Sequence, residues 1–450
     1  MLFEIAALVT SVTLGPVAGV FGVPEIVQYP AQSVDSLVHS LAIPDAPPLP
    51  FIGPEPAGGA AEQIKGARVL DQLALVPSDS ISDWVATHQS SIDALMTTPP
   101  PAHDVTLWWA SLDLNSKLAL RDASPQFVGN LDGVPYSIRD LANRTVLTST
   151  MKSLQSTIDT ESGRTVVESA KQQLHMLQSI SDALAAEKPG SGSADRTLMS
   201  LDVTGQGRAA IVIGNLRTAD YVSYLVPGMF FTIENQMGDW VDAASRLHDE
   251  ELSWLALLGP GAGTAPTAAD SAPTVATVAW IGYHTPNLTN VGGIQNANEG
   301  RDALAGAIEG LQAIRAGNEP YISVIAHSYG STAALMALTE YNFQIDALAL
   351  VGSPGSPAKS VAELHVRNSN VYVGEAAWDP IPNSAYFGSD PGAESYGAKP
   401  MGVSGGLDAL TRQALAASVG HNEYFSAGTE SMRNFALISI GQGQFVSSGN

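Results

Sequence analysis

The chain has 450 residues, of which 45% are hydrophobic and 14% charged, so it can bury a large core and is globular rather than disordered. Its 21 Lys and Arg against 44 Asp and Glu give a formal net charge of −23. This charge repels phosphate backbones and therefore excludes nucleic-acid binding. The absence of cysteine excludes disulfide scaffolds, thiol nucleophiles and cysteine-based metal sites.

Residues 1–60 are interpreted as an apolar arm followed by a proline-rich linker. The stretch from Ile5 to Val23 carries no charge, but no Lys or Arg precedes Lys65, so the positive region of a signal peptide is missing. We therefore expect a cytoplasmic protein, with export or membrane association through residues 5–23 as the alternative. The arm is expected to pack on the protein's own surface or on a second subunit, as in a homo-oligomer.

Residues 61–194 are predicted to be mainly helical. Apolar side chains recur at three- and four-residue spacing in Gln63 to Val76, Ser80 to Met96 and Leu154 to Glu187, which is typical of amphipathic helices. The segment from Pro189 to Asp195, rich in glycine and serine, is interpreted as a flexible joint.

Residues 195–450 are predicted to form an α/β catalytic domain, because short apolar runs alternate with longer helical patterns. Strands that are apolar on both faces indicate a mostly parallel sheet covered by helices on each side. A segment from Gly259 to Pro273 is expected to be a surface loop. The predicted strands are Leu198–Val203, Ala209–Gly214, Val222–Val226, Val275–Ile281, Tyr321–Ala326, Ala347–Val351 and Val371–Gly374, and the predicted crossover helices are Thr232–Leu257, Glu299–Arg315 and Tyr329–Glu340.

The segment from Ile325 to Ser331, IAHSYGS, stands where an apolar strand turns into a helix, and it resembles the nucleophile elbow of α/β-hydrolases. The serine of that elbow lies on a sharp turn, so the residues two before and two after it must be small. Ala326 and Gly330 meet this requirement and make Ser328 the predicted nucleophile. The alternative is a serine that only caps the helix after it.

The predicted base is His421. A serine hydroxyl needs a base oriented by an acid, and this fold supplies them in the chain order Ser, Asp or Glu, His. Two histidines follow Ser328, namely His365 and His421. His421 is preferred because it stands in a loop near the chain end, whereas His365 lies between two strands and is expected to face solvent or a helix.

The predicted acid is Asp379, which closely follows the last predicted strand and has proline neighbours that stiffen its turn. Glu375 is the runner-up. Asp346 precedes a strand and Asp408 is expected to lie in a helix, so both are expected to cap or to face solvent.

The predicted oxyanion hole consists of two backbone N–H groups, those of Tyr329 and Met229. Tyr329 follows the nucleophile, and Met229 follows Gly228 in a turn after the third strand. The alternative for this segment is an ordinary Pro-Gly turn. The Gly129 to Gly133 segment lacks the features of a phosphate loop or a calcium loop, and the sequence has no HExxH motif or cluster of histidines, so no cofactor or metal is implied.

Several motifs in order resemble an actinobacterial α/β-hydrolase family long described only as a domain of unknown function, over Trp108 to Gly441. The motifs are WWASL (Trp108–Leu112), VGNLDGVPYSIRDLANR (Val128–Arg144), LVPGM (Leu225–Met229), VAWIGYHTP (Val278–Pro286), AHSYGS (Ala326–Ser331), ALVGSPG (Ala349–Gly355), AWDPIP (Ala377–Pro382) and GHNEYF (Gly420–Phe425). The elbow of that family commonly begins with Gly where this chain has Ala326.

The resemblance implies the α/β-hydrolase fold and a serine hydrolase. Together with the elbow it predicts a carboxylic ester hydrolase, of esterase or lipase type, that acts on a small-molecule or lipid ester. An amidase, peptidase or thioesterase would use the same side chains. A protein of another class, without catalysis, would bind a partner through the helical N-terminal half.

Overall fold

The structure is a computed structural model that describes residues 68–161, 163–185, 194–258 and 273–448. The arm and linker predicted for residues 1–60 lie outside this part of the chain. So do most of the Pro189–Asp195 joint and nearly all of the loop predicted at Gly259–Pro273. Among the helices of the described ranges, none is both long enough and apolar enough to cross a membrane.

A sheet of eight strands organises the described residues from 194 onward, in the order β1-β2-β4-β3-β5-β6-β7-β8. The strands β3 to β8 run parallel to one another, and β2 runs antiparallel to both of its neighbours, β1 and β4. The mostly parallel sheet predicted from the sequence is therefore confirmed. The strands are β1 (Arg196–Asp202), β2 (Arg208–Gly214), β3 (Tyr221–Val226), β4 (Val275–Ile281), β5 (Tyr321–His327), β6 (Ala347–Val351), β7 (Val371–Gly374) and β8 (Lys399–Pro400), with a separate two-stranded ribbon of β9 (Gly406–Leu407) and β10 (Ala414–Leu415).

Two features of the sheet differ from the pattern-based expectation. The strands β1 and β2 form a hairpin, because the five residues between Asp202 and Arg208 are too few for the crossover that parallel strands require. Gly205 and Gly207 take positive φ angles of 57° and 71° in this turn. The eighth strand was not predicted, since two residues are too short to carry an apolar pattern.

Four helices cover the two faces of the sheet: α8 (Ile233–Leu258), α9 (Gln295–Ile314), α10 (Tyr329–Glu340) and α11 (Glu430–Ser439). Successive strand residues face opposite sides. In β5, Ile325 belongs to the apolar core that includes residues of α8 and α11, whereas Val324 belongs to the core that includes residues of α9 and α10. The sheet is thus buried on both faces, as the apolar runs indicated.

The described residues before 185 are mainly helical, as α1 (Ile81–Thr87), α2 (Gln89–Thr97), α3 (Ala102–Ser111), α4 (Leu114–Ala123), α5 (Pro125–Asn130), α6 (Tyr136–Thr160) and α7 (Arg164–Leu184), after a helical stretch at 68–74. The predicted helix from Ser80 to Met96 is two helices, because His88 leaves helical geometry with φ −118° and ψ 29°. The predicted helix from Leu154 to Glu187 is likewise divided, since Glu161 and Gly163 are extended.

Polar side chains of α5 and α6 cover the free edge of β1. Asn130 bonds both the N–H and the carbonyl of Leu201, at 2.9 Å each. Asp140 accepts from the N–H of Leu198 at 2.7 Å, and Asn143 donates to its carbonyl at 3.1 Å. These edge-capping side chains, Asn130, Asp140 and Asn143, satisfy the groups that a ninth strand would otherwise bond. The motif from Val128 to Arg144 therefore secures the helical region to the sheet.

Candidate active site

The site is built at the carboxyl ends of the parallel strands, where Ser328 alone joins β5 to α10. The backbone of Ser328 has φ 54° and ψ −132°, a strained conformation for a residue with a side chain. Its N–H donates to the carbonyl of Val351 at 2.9 Å, which fixes the turn to the end of β6. A side chain at position 330 would collide with the carbonyl of Pro227, so this position requires Gly330. The small residues of the elbow thus allow the sharp turn.

The structure brings Ser328, His421 and Asp379 into one hydrogen-bonded chain. The Oγ atom of Ser328 lies 2.7 Å from Nε2 of His421. The Nδ1 atom of His421 lies 2.9 Å and 3.0 Å from the two carboxylate oxygens of Asp379. The residues Ser328 and His421 are only 3% and 6% exposed. The order of donors follows from the acceptor-only carboxylate: Nδ1–H donates to Asp379, so Nε2 accepts from the serine hydroxyl.

The Asp379 carboxyl is held in its charged form. Burial opposes that charge, but the hydrogen bond and charge of His421, with further hydrogen bonds from Tyr424 and the N–H of Ile381, outweigh burial and place the pKa of Asp379 below its ordinary value. The loop of Asp379 is also joined to the loop of His421, because the N–H of Gly420 donates to the carbonyl of Ala377 at 2.7 Å.

The other candidate residues lie elsewhere. The Nδ1 atom of His365 bonds the carbonyl of Tyr341, and Glu375 accepts from Asn383 at 3.3 Å. The expectation of a helix around Asp408 is wrong: this carboxylate is buried in a turn, where it accepts from the N–H groups that follow it and pairs with Arg433 at 2.6 Å. Gly405 and Gly406, with φ of 77° and 147°, interrupt helical geometry immediately before it.

The two predicted oxyanion donors lie on the two segments that flank Ser328. Tyr329 is the first residue of α10, so its N–H has no acceptor within the helix. The turn before Met229 touches the serine, since a Cβ atom on Gly228 would lie 2.5 Å from the Cβ of Ser328. After Met229, the N–H of Phe230 donates to the carbonyl of Pro286 at 3.0 Å, which holds the turn in place.

Two residues at the site were not assigned a role from the sequence. The hydroxyl of Tyr424 donates to Oδ2 of Asp379 at 2.7 Å and accepts from the N–H of Ala376 at 2.9 Å. His327 contacts His421 through both its ring and a hydrogen bond. The available signal was position alone: Tyr424 stands in the GHNEYF motif and His327 in AHSYGS. Within the described ranges, no group of three or more His, Asp and Glu side chains is arranged to hold a metal ion.

The fold and the serine turn agree with a comparison to known families. Residues 202–389 match the family model described as alpha/beta hydrolase. The match covers less than half of the chain, and it agrees with the α/β-hydrolase fold that the sheet and the serine turn show. The family match supports the resemblance to α/β-hydrolases. The curated relatives are mycobacterial proteins, which supports the actinobacterial part of that resemblance.

Uncharacterized protein MT2140 of Mycobacterium tuberculosis is 28% identical over 409 residues, which cover 78% of this chain and 58% of the relative. The chain thus spans little more than half the length of that relative. Uncharacterized protein Mb0988c of Mycobacterium bovis is 28% identical over 239 residues, which cover 51% of this chain and 84% of the relative.

Two solved structures are similar to part of the chain. An S-formylglutathione hydrolase from Agrobacterium tumefaciens is 10% identical, with a TM-score of 0.31 over 58% of this chain and 98% of that one. Carboxyl esterase 2 from Tuber melanosporum is 12% identical, with a TM-score of 0.31 over 60% of this chain and 99% of that one.

Proposed function

We propose that the protein is a serine hydrolase that cleaves carboxylic esters through an acyl-enzyme. The observation that carries this proposal is the continuous hydrogen-bonded chain from Ser328 Oγ through His421 to Asp379, with distances of 2.7 Å and 2.9 Å. A nucleophile, a base and an orienting acid in this order are the arrangement that activates a serine hydroxyl at neutral pH.

In the first half-reaction Ser328 Oγ attacks the ester carbonyl carbon while His421 Nε2 takes the hydroxyl proton. The bond between the carbonyl carbon and the alcohol oxygen then breaks, and the same proton passes from Nε2 to the departing alcohol. Asp379 keeps the Nδ1–H tautomer of His421 and stabilises the imidazolium that forms in between.

In the second half-reaction water replaces the alcohol. His421 removes a proton from the water as its oxygen attacks the acyl carbon, and it returns that proton to Ser328 Oγ when the acid leaves. We assign the oxyanion donors to the N–H groups of Tyr329 and Met229, whose positions beside Ser328 support this role.

The direct test compares wild-type protein with Ser328→Ala in hydrolysis of short p-nitrophenyl esters and in labelling by a fluorophosphonate probe. We expect at least about a 10³-fold loss of turnover and no labelling, because only binding and the oxyanion donors remain. Ser384→Ala is the matched control, since Ser384 is an exposed serine in the segment after Asp379. Equal labelling of wild type and Ser328→Ala would remove Ser328 as the nucleophile.

The acid is tested by Asp379→Asn, which keeps the shape of the side chain but favours the wrong imidazole tautomer, against Glu375→Gln as the matched control. We expect a loss on the order of 10⁴-fold in kcat for Asp379→Asn and little change for Glu375→Gln. The acyl class is tested by a panel of esters of increasing acyl length with the corresponding amides and thioesters.

A further inference from the structure

His327, the last residue of β5, is a buried histidine that takes no part in the acyl transfer proposed above. Its Nε2 atom lies 2.7 Å from the carbonyl oxygen of His421. Its ring is surrounded by those of Phe231, His421, Tyr424 and Phe425, with centroids 4.6 Å to 6.5 Å away. A polar ring in such a cage needs an explanation beyond packing.

The hydrogen bond fixes the tautomer of His327. A backbone carbonyl can only accept, so Nε2 carries the proton and donates it. Nδ1 then holds the lone pair, and it has no hydrogen-bond partner among the described residues. Burial, together with the charge of a protonated His421, lowers the pKa of His327 to about 3, against the opposing effect of Asp379. His327 is therefore neutral near pH 7 and does not compete with His421 as a base.

The hydrogen bond between His327 and His421 connects the base to the end of β5, the strand that also carries the nucleophile. His421 lies in an irregular loop outside the sheet, after Gly420 with φ 69°. Its imidazole hydrogen-bonds the side chain of Ser328, and its backbone carbonyl accepts a hydrogen bond from His327, the residue before Ser328 in the chain. Both contacts of His421 are therefore made with successive residues at the end of β5.

We propose that His327 is a positioning residue, whose Nε2–H holds the main chain of His421 so that the imidazole stays in line with Ser328 Oγ. The inference rests on the proposed function, because it assigns the hydrogen bond a role in that reaction. A displacement of about 1 Å between reacting groups can cost on the order of 10²-fold in rate. Loss of the single hydrogen bond from His327 is therefore expected to lower the rate measurably.

The test compares two substitutions with opposite properties in the full chain. His327→Gln places an N–H donor near the position of Nε2 but gives up the aromatic ring. His327→Phe keeps an aromatic ring in the cage but has no donor for the carbonyl of His421. The measurements are kcat and KM for a short p-nitrophenyl ester, the rate of inactivation by a fluorophosphonate, and the thermal midpoint of unfolding.

We expect His327→Gln to remain within about threefold of wild type in kcat, and His327→Phe to lose about 10- to 100-fold in kcat and in inactivation rate with little change in KM. Wild-type rates in His327→Phe would overturn the proposal and leave a packing role. A loss of about 10- to 100-fold in kcat in a folded His327→Gln would also overturn it, even if His327→Phe did not fold, because a retained donor would then not preserve the rate.

The proposed function fails in a different way. Wild-type protein that neither hydrolyses the ester nor reacts with the probe would overturn the serine hydrolase itself, and the role of His327 with it. If the wild-type protein reacts with ester and probe but His327→Phe or His327→Gln gives one of the contrary outcomes above, only the role of His327 is overturned.

Discussion

Gly352 packs directly against the imidazole of His421. A Cβ atom at this position would lie 2.8 Å from Cε1 of that ring and 3.0 Å from Oδ2 of Asp379. Gly352 follows β6 and has φ 58°, a left-handed conformation that disfavours other residues. The main chain after β6 thus lines the site so closely that position 352 has room only for glycine.

Gly352→Ala is expected to displace His421 or Asp379 and to lower kcat by about 10- to 100-fold, with a loss of about 1 kcal/mol or more in the free energy of unfolding. Gly317→Ala is the matched control, because Gly317 also has a positive φ, 79°, but no atom within 4 Å of the added methyl. The control should show the loss of stability without the loss of activity. Steady-state kinetics and urea unfolding are measured for both variants, and equal activity in the two would contradict the close contact between Gly352 and the imidazole of His421.

Tyr424→Phe is expected to weaken the hold on Asp379. The carboxylate loses one donor but keeps those from His421 and Ile381, so we expect a fall of about 10-fold in kcat rather than complete loss. The N–H of Ala376 loses its acceptor, which costs about 1–3 kcal/mol of stability.

The matched control for this change is Tyr341→Phe. That hydroxyl also donates to a carboxylate, Asp302, at 2.8 Å, on the outer side of α9 and α10. Kinetic assays at saturating substrate and urea unfolding distinguish the two variants. A kcat for Tyr424→Phe equal to that of the control would show that Asp379 does not need the donor from Tyr424.

Glu251 of α8 is a fully buried carboxyl beneath the sheet. It accepts hydrogen bonds from Ser223 of β3 and from Thr277 of β4, the latter at 2.9 Å. Burial raises its pKa from 4.5 to about 7, although hydrogen bonds from these hydroxyls and from Ser439 oppose the shift. The folded protein therefore retains a proton on Glu251 that the unfolded chain has lost at pH 6.

The contribution of Glu251 to stability should fall as the pH rises from about 4.5 to about 7, because in that window this carboxyl binds more protons in the folded state than in the unfolded state. The total effect of this one group is about 3 kcal/mol. Glu251→Gln removes the titration and keeps an acceptor, so its urea midpoint should exceed that of wild type at pH 8 and approach it at pH 4.5. Glu319→Gln, at an exposed site, controls for the charge. Identical pH profiles for wild type and Glu251→Gln would show that Glu251 does not titrate in this way.

Local sequence patterns were sufficient to predict the elements at the centre of the fold. The helix α10 was predicted with its observed bounds, Tyr329–Glu340, because a strand, a small-residue turn and an apolar helix follow one another without interruption. The helix α9 begins at Gln295 rather than Glu299, since its first turn is polar and lacks the apolar periodicity that marks a helix. Chain order and loop position selected Asp379 and His421 among the available carboxylates and imidazoles.

Contacts between distant segments could not be predicted in this way. Gly352, Tyr424 and His327 all lie in motifs that were recognised, yet their roles depend on which segments meet in three dimensions. The antiparallel pairing of β1 with β2 depends on a short turn rather than on the apolar character of the strands. Asp408 faces Arg433 in a buried pair, which no local pattern around Asp408 indicates.

The side chains of Asn130, Asp140 and Asn143 have a consequence for any attempt to isolate the sheet. A fragment that starts at residue 195 would present the main chain of β1 to water as a template for strand addition by another molecule. Such a fragment is expected to self-associate through the exposed edge of β1, whose main-chain groups at Leu198 and Leu201 are bonded by the three polar side chains in the intact chain.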